Sequence, residues 1–221
     1  MGQFYSENFL NYISETSDKE GEYTEIITDW LLDNIELFDN IKPITREKNY
    51  KVKTHDGIIK NEKSNREEEM IAMKLFDFSQ NQGKVFDIIG KIIDYQTPLK
   101  NVRGDKAGKI DLLAYNENEN ENKIEKTLRI LELKRLDSEE TMLRCVLEAY
   151  TYLKVVDKAK LLKDFGLPED TILKTCPFVF FNGKQHQDLK DGGENLENLI
   201  GKLGIEVIYL EEKDGEYSIV K

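Results

Sequence analysis

KIDLLAY (109–115), NENENENKIEK (116–126) and TLRILELKR (127–135) form one continuous segment whose reading decides the fold. Two apolar runs flank a tract that is nearly all Asn, Glu and Lys. Each apolar run carries one acid where a buried strand would not ordinarily hold it: Asp111 before Leu112 and Leu113, and Glu132 between Leu131 and Leu133. Strand side chains alternate with period two, so Glu132 and Lys134 project to the same face. A hairpin centred between Glu121 and Asn122 sets Asp111 directly opposite Glu132. The tract 116–126 then reads as a low-complexity insertion at the hairpin tip.

Burying a carboxylate is costly unless it is paired or bound to a cation. Asp111, Glu132 and Lys134 can satisfy one another as an ion cluster. Two carboxylates also suit Mg²⁺, which takes oxygen ligands and keeps several waters. A lysine beside such a site can orient or deprotonate a water, or steady charge on a phosphate.

Asp111, then about twenty residues, then Glu132-Leu133-Lys134 resembles the signature of the PD-(D/E)XK, or restriction-endonuclease-like, nuclease superfamily. Ile110 stands where that family usually has a proline. The resemblance implies a Mg²⁺- or Mn²⁺-dependent phosphodiesterase. Asp111, Glu132 and the Leu133 carbonyl would ligate the metal, Glu68 would complete the site, and Lys134 would position the attacking water.

The elements predicted around the segment agree with that family's αβββαβ core. SNREEEMIAMKLFDFS (64–79) reads as a helix with a Ser64 cap and acids in its first turn, Glu68 continuing the apolar stripe of Ile71, Ala72, Leu75 and Phe76. KVFDIIGKIIDYQTPLK (84–100) is rich in β-branched residues, with Gly90 marking a bulge or tight turn between two extended pieces. Asp94 and Gln96 near its end read as solvated edge polar groups. Residues 139–157 read as a long helix capped by Asp137 or Ser138. Arg144, Glu148 and Tyr152 share a stripe on it, where the family often carries Gln-x-x-x-Tyr; Glu148 replaces the Gln. Arg144 pairing with Glu148 is the purely structural alternative. CPFVFFN (176–182) reads as a buried strand, 194–203 as a short helix, and 205–212 with 216–220 as a terminal hairpin.

Residues 1–63 read as an N-terminal extension with an amphipathic helix (22–38) and a small hairpin near His55, before a nuclease-like domain over 64–221. The fold class is α/β: a mixed central sheet flanked by helices. Glu25 is a weaker alternative for an active-site acid. His55 and His186 read as isolated surface histidines, His186 in the polar loop KQHQD (184–188), and no Cys/His spacing suggests zinc.

Composition sets the bounds. The 221 residues are 39% hydrophobic and 34% charged, with formal net charge −11. That charge argues against indiscriminate coating of DNA. Basic residues nonetheless concentrate at 42–66, eight against three acids, and at 100–109, where Lys100, Arg103, Lys106 and Lys109 are candidate substrate contacts. No run approaches the length of a membrane span, and the N-terminus lacks signal-peptide character. Cys145 and Cys176 read as buried thiols of a cytoplasmic protein. The expected partner is nucleic acid, DNA first, with no membrane and with homodimerisation open. The alternative is a catalytically inactive nuclease-fold binding or scaffold module.

Overall fold

The computed structural model describes residues 20–57, 66–99, 108–120, 123–191 and 193–220. Helices α1 (Glu20–Asp33) and α2 (Glu67–Gln80) precede strands β1 (Lys91–Pro98), β2 (Lys109–Asn120) and β3 (Lys123–Lys134). Helices α3 (Met142–Val155) and α4 (Lys158–Phe165) lead to β4 (Ile172–Phe180). Helices α5 (Lys184–Asp191) and α6 (Glu194–Leu203) lead to β5 (Ile208–Lys213) and β6 (Glu216–Val220). The strands form one six-stranded sheet in sequential order. The β1–β2, β2–β3 and β5–β6 pairs are antiparallel, and β3–β4 and β4–β5 are parallel. The protein is therefore α/β with a mixed sheet, as its sequence implies.

Helices cover both faces of the sheet. On one, Leu75 and Phe76 of α2 share a core with Ile92, Leu112, Leu131, Leu133 and Phe178. On the other, Leu31 of α1, Val146 of α3, Leu161 of α4 and Leu199 of α6 share a core with Ile130 and Val179. Burial on both faces explains why β3 reads as a nearly unbroken apolar run. Leu128 and Ile130 alternate with Leu131 and Leu133 between the two cores, so Glu132 and Lys134 fall on the α3 side. Phe38 and Tyr50 also join the α3-side core, so the N-terminal region contributes directly to it.

Several local expectations are corrected. Residues 116–120 and 123–126 are strand and not a polar insertion at the tip: the β2–β3 ladder continues through Asn116–Thr127, Glu117–Lys126 and on to Asn120–Lys123. An antiparallel ribbon satisfies its own backbone, and the Glu117–Lys126 pair sets opposite charges across the strands. Before β1 there is a turn rather than a first strand piece, closed by a Phe86–Gly90 bridge. Ile88 and Gly90 both adopt positive φ there, at 64° and 78°. A Cβ at Gly90 would lie 2.3 Å from the Tyr115 carbonyl oxygen, so only glycine lets the turn close against β2.

Helix α3 starts later than expected, because Thr141, rather than Asp137 or Ser138, accepts the Arg144 amide at 3.2 Å. Ser64 lies outside the described residues, and the observed N-cap of α2 is Arg66, without a side-chain bond. Residues 184–188 open α5 instead of a loop, and the short α4 had no expectation at all. Described residues 41–57 hold no strand, so the hairpin near His55 is not formed there. The stripe on α1 is only half used: Leu31 is buried while Ile26 and Trp30 are 65% and 51% exposed. The terminal hairpin is observed, turning at Asp214 and Gly215 with φ of 55° and 83°.

Candidate active site

The site grows from the end of the β2–β3 ladder. The pairing runs in the expected register but its last pair is Leu112–Leu131. One step further the two strands no longer pair, and the next residues in that register are Asp111 and Glu132. The Leu133 amide, left without a strand partner there, donates to Asp111 Oδ2 at 3.0 Å. Asp111 Oδ1 accepts from Gln96 Nε2 at 2.8 Å, and Gln96 in turn accepts from Lys109 Nζ at 3.3 Å. Gln96 adopts φ of 47°, a kink in β1 that brings its amide over Asp111. Gln96 is thus part of the site and not a solvated edge group.

Glu132 and Lys134 lie side by side on the α3 face. Lys134 Nζ is 2.7 Å from Glu132 Oε1, 2.8 Å from Glu140 Oε2 and 3.1 Å from Glu148 Oε2. Both residues are almost completely buried. Tyr152 OH donates to Glu148 Oε1 at 3.1 Å. Glu148 therefore serves Lys134, while Arg144 pairs with Glu140 at 3.0 Å; the Arg144–Glu148 pair is not formed. A Cβ at Gly108 would meet the Tyr152 hydroxyl at 3.0 Å, so the turn into β2 also rests against this network. The other oxygen of Glu132, Oε2, is buried and has no hydrogen-bond partner.

Burial raises the carboxyls. Loss of solvent pushes Asp111 up to about 7, against the opposing pull of Lys134. Glu132 lies well above the ordinary carboxylate range, first from burial and then from the charge of Asp111. Glu68 is raised by burial as well. For Lys134 burial alone would lower the ammonium, but Glu132, Glu148 and Glu140 outweigh it and hold it well above the usual lysine value. Lys134 is therefore a fixed cation. It can orient a water or stabilise negative charge, and it does not take up a proton.

Asp111 lines a cleft of about 850 Å³ with Gln96, Ser138, the first turn of α2 and the loop leading to α3. Glu67, Glu68, Glu69, Glu139 and Glu140 face Arg66 and Arg135 there. Glu68 Oε1 accepts the Arg135 amide at 3.3 Å, which ties α2 to the end of β3. Glu67 pairs with Arg135, and Glu69 with Arg66. Among the described residues no three His, Cys, Asp or Glu side chains are grouped so as to hold a metal ion. Asp111 and Glu132 are the next residues past the last β2–β3 pair, the charge of Asp111 acts on Glu132, and the buried Glu132 Oε2 has no hydrogen-bond partner. A cation that keeps most of its waters takes one or two protein carboxylates, and an orphaned carboxylate oxygen is a donor of the kind Mg²⁺ or Mn²⁺ takes.

The structure thus brings together Glu68, Asp111, Glu132, Lys134, Glu148 and Tyr152, with Lys109 linked to Asp111 through Gln96. Arg144 joins the cluster at its edge, through Glu140 and not through Glu148. Lys100, Arg103 and Lys106 lie outside the described residues. Sequence reasoning gave no role to Glu140; a lone glutamate in an acidic run carries no signal of a tertiary contact.

Other polar residues also changed standing. Glu25 is no active-site acid: its carboxylate accepts the Asn195 and Leu196 amides at 3.1 and 3.2 Å, capping α6. His55 is not isolated, since its Nδ1 lies 2.7 Å from Asp94 and its ring stacks on Tyr95 at 4.2 Å. Asp94 also accepts from Thr97 at 2.7 Å and is buried. His186 packs in an aromatic group with Phe181 and Tyr209. Both cysteines are buried free thiols. No described helix is long and apolar enough to cross a membrane. Compared with known proteins, the chain matches no protein-family model, no curated protein and no solved structure.

Proposed function

We propose that the protein is a metal-dependent nuclease of the PD-(D/E)XK type, hydrolysing phosphodiester bonds of nucleic acid, DNA first among them. The observation that carries this reading is the buried, unpartnered Oε2 of Glu132, whose other oxygen holds Lys134, one residue past the ladder end from which Asp111 lines the cleft. The element order α2-β1-β2-β3-α3-α4-β4 supports it, since Asp111 and Glu132 stand where that family keeps its acids.

Asp111 and Glu132 would hold Mg²⁺ or Mn²⁺, which supplies a water of lowered pKa and shields phosphate charge. Lys134, kept protonated by its carboxylates, orients the attacking water and steadies the charge that develops on the phosphate. Glu148 and Glu140 position Lys134, and Tyr152 positions Glu148. Glu68 braces the strand end through the Arg135 amide. Gln96 and Lys109 orient Asp111 from the β1 side.

A second reading, a nuclease-fold binding or scaffold module without catalysis, is favoured by the engagement of both Asp111 oxygens in hydrogen bonds and of Lys134 by three acids. One experiment separates the two. Single- and double-stranded DNA and RNA are incubated with Mg²⁺ or Mn²⁺ and the wild type, Asp111→Ala or Lys134→Ala, with metal binding followed by calorimetry. Metal-dependent cleavage abolished by both substitutions is expected. A folded wild type that binds no metal and cleaves nothing would leave only the scaffold reading.

A further inference from the structure

The cleft is a poor collector of a polyanion, because acids outnumber bases along its walls. A protein of net charge −11 that acts on nucleic acid needs its attraction elsewhere. The structure builds a positive surface from two segments far apart in the chain. The Ile44 amide donates to the Val155 carbonyl at 2.7 Å. The Tyr50 amide donates to Asp164 Oδ2 at 2.8 Å, and the Tyr50 hydroxyl accepts the Asp157 amide at 3.2 Å. Tyr50 is fully buried, so loop 42–53 is pinned to the α3–α4 corner.

The charges sort by direction. Asp164 is turned inward, 9% exposed, held by the Tyr50 amide and by Lys160 at 3.0 Å. Asp157 caps α4 through the Lys160 amide at 3.0 Å. The lysines point out: Lys42, Lys48, Lys51 and Lys53 on the loop, and Lys158 and Lys163 on α4, are all exposed. None of these six forms an ion pair among the described residues. Glu47 on the loop and Glu169 and Asp170 just beyond α4 are exposed acids, Asp170 being paired with Lys126. Lys158, Lys160 and Lys163 line a groove of about 1180 Å³ along α4 together with Asp157, Asp164 and Glu169, the two aspartates being held by Tyr50 and Lys160.

We propose that loop 42–53 and α4 together form the surface on which nucleic acid docks, the lysines contacting backbone phosphates. The inference deepens the nuclease reading and rests on it for the identity of the polyanion. Phosphate-directed lysines give sequence-independent, salt-dependent affinity.

The test is anisotropy of a fluorescein-labelled oligonucleotide, single-stranded and duplex DNA and RNA in turn, across a salt series with chelator present so that nothing is cut. The combined Lys51→Glu, Lys158→Glu and Lys163→Glu variant is compared with a charge-matched control, Lys190→Glu, Lys202→Glu and Lys213→Glu, at exposed positions on other elements. Circular dichroism verifies folding, and the same three docking lysines changed to Gln give a milder variant. The docking variant is expected to lose at least about tenfold in affinity, with the salt slope falling by about one unit per lysine, while the control keeps wild-type binding. Absence of wild-type binding, or equal losses in both triple variants, overturns the proposal. Cleavage measured separately with Mg²⁺ keeps the two readings apart: lysine-dependent binding without cleavage sinks the nuclease and leaves the surface, whereas cleavage with undiminished binding by the docking variant sinks the surface.

Discussion

Replacing Lys134 by Met is the most direct probe of the buried charge network. Methionine occupies nearly the same volume, so the cavity contribution is small and the charge contribution dominates. The lysine touches Glu132, Glu140 and Glu148 at 2.7, 2.8 and 3.1 Å with its side chain only 6% exposed. Glu132 Oε2 already lacks a partner, so the substitution leaves that carboxylate with none at either oxygen. Removing one member of a buried pair typically costs about 3–5 kcal/mol, and that loss is expected in urea unfolding at about pH 8. The sign of the pH dependence follows from the carboxylates. Glu132 already titrates above its usual range, and Lys134 is among the groups holding it down. Without the lysine it rises further, so the unpaired-charge cost shrinks as pH falls from about 8 to about 5. Lys134→Met with Glu132→Gln is expected to recover much of the loss at the higher pH. A destabilisation under about 1 kcal/mol, or one equal at both pH values, would refute the argument that these carboxylates are charged and held by Lys134.

Three further outcomes are expected. Asp111, raised from 3.8 to about 7, binds a proton in the folded state that the unfolded chain has released. Wild-type stability therefore falls as pH rises from about 4 to 7, by up to about 4 kcal/mol, and Asp111→Asn flattens that slope in urea titrations. Mg²⁺ must displace the same proton, so affinity measured by calorimetry rises over about pH 6 to 8 with proton release, and Glu132→Gln abolishes binding. Glu25→Ala leaves the Asn195 and Leu196 amides without their cap and is expected to lower stability by about 1–2 kcal/mol in thermal or urea unfolding, with cleavage unchanged.

The residues that define the core were legible because local chemistry dictates them. The period-two alternation of β3 put Glu132 and Lys134 on one side, and the hairpin symmetry of 109–135 fixed the register that carries Asp111 toward Glu132. β-Branched runs and the Asp214-Gly215 turn marked β1 and the terminal hairpin for the same reason. Polar tracts misled wherever tertiary or cross-strand pairing replaced solvent: 116–120 and 123–126 became ladder, 184–188 became helix, and Asp94 became a buried partner of His55.

The sequence by itself determined the α/β class, the strand that holds the acidic pair and the lysine, and the compositional bounds, because periodicity and backbone preference act within a few residues. The tertiary structure alone decided that Glu140 and Glu148 clasp Lys134, that Gln96 and the Leu133 amide engage Asp111, and that Glu25 caps a helix far along the chain. Those contacts join segments whose separation in sequence carries no periodic signal. Their energies come from desolvation and charge at short range, which exist only once the sheet and its helices have closed around them.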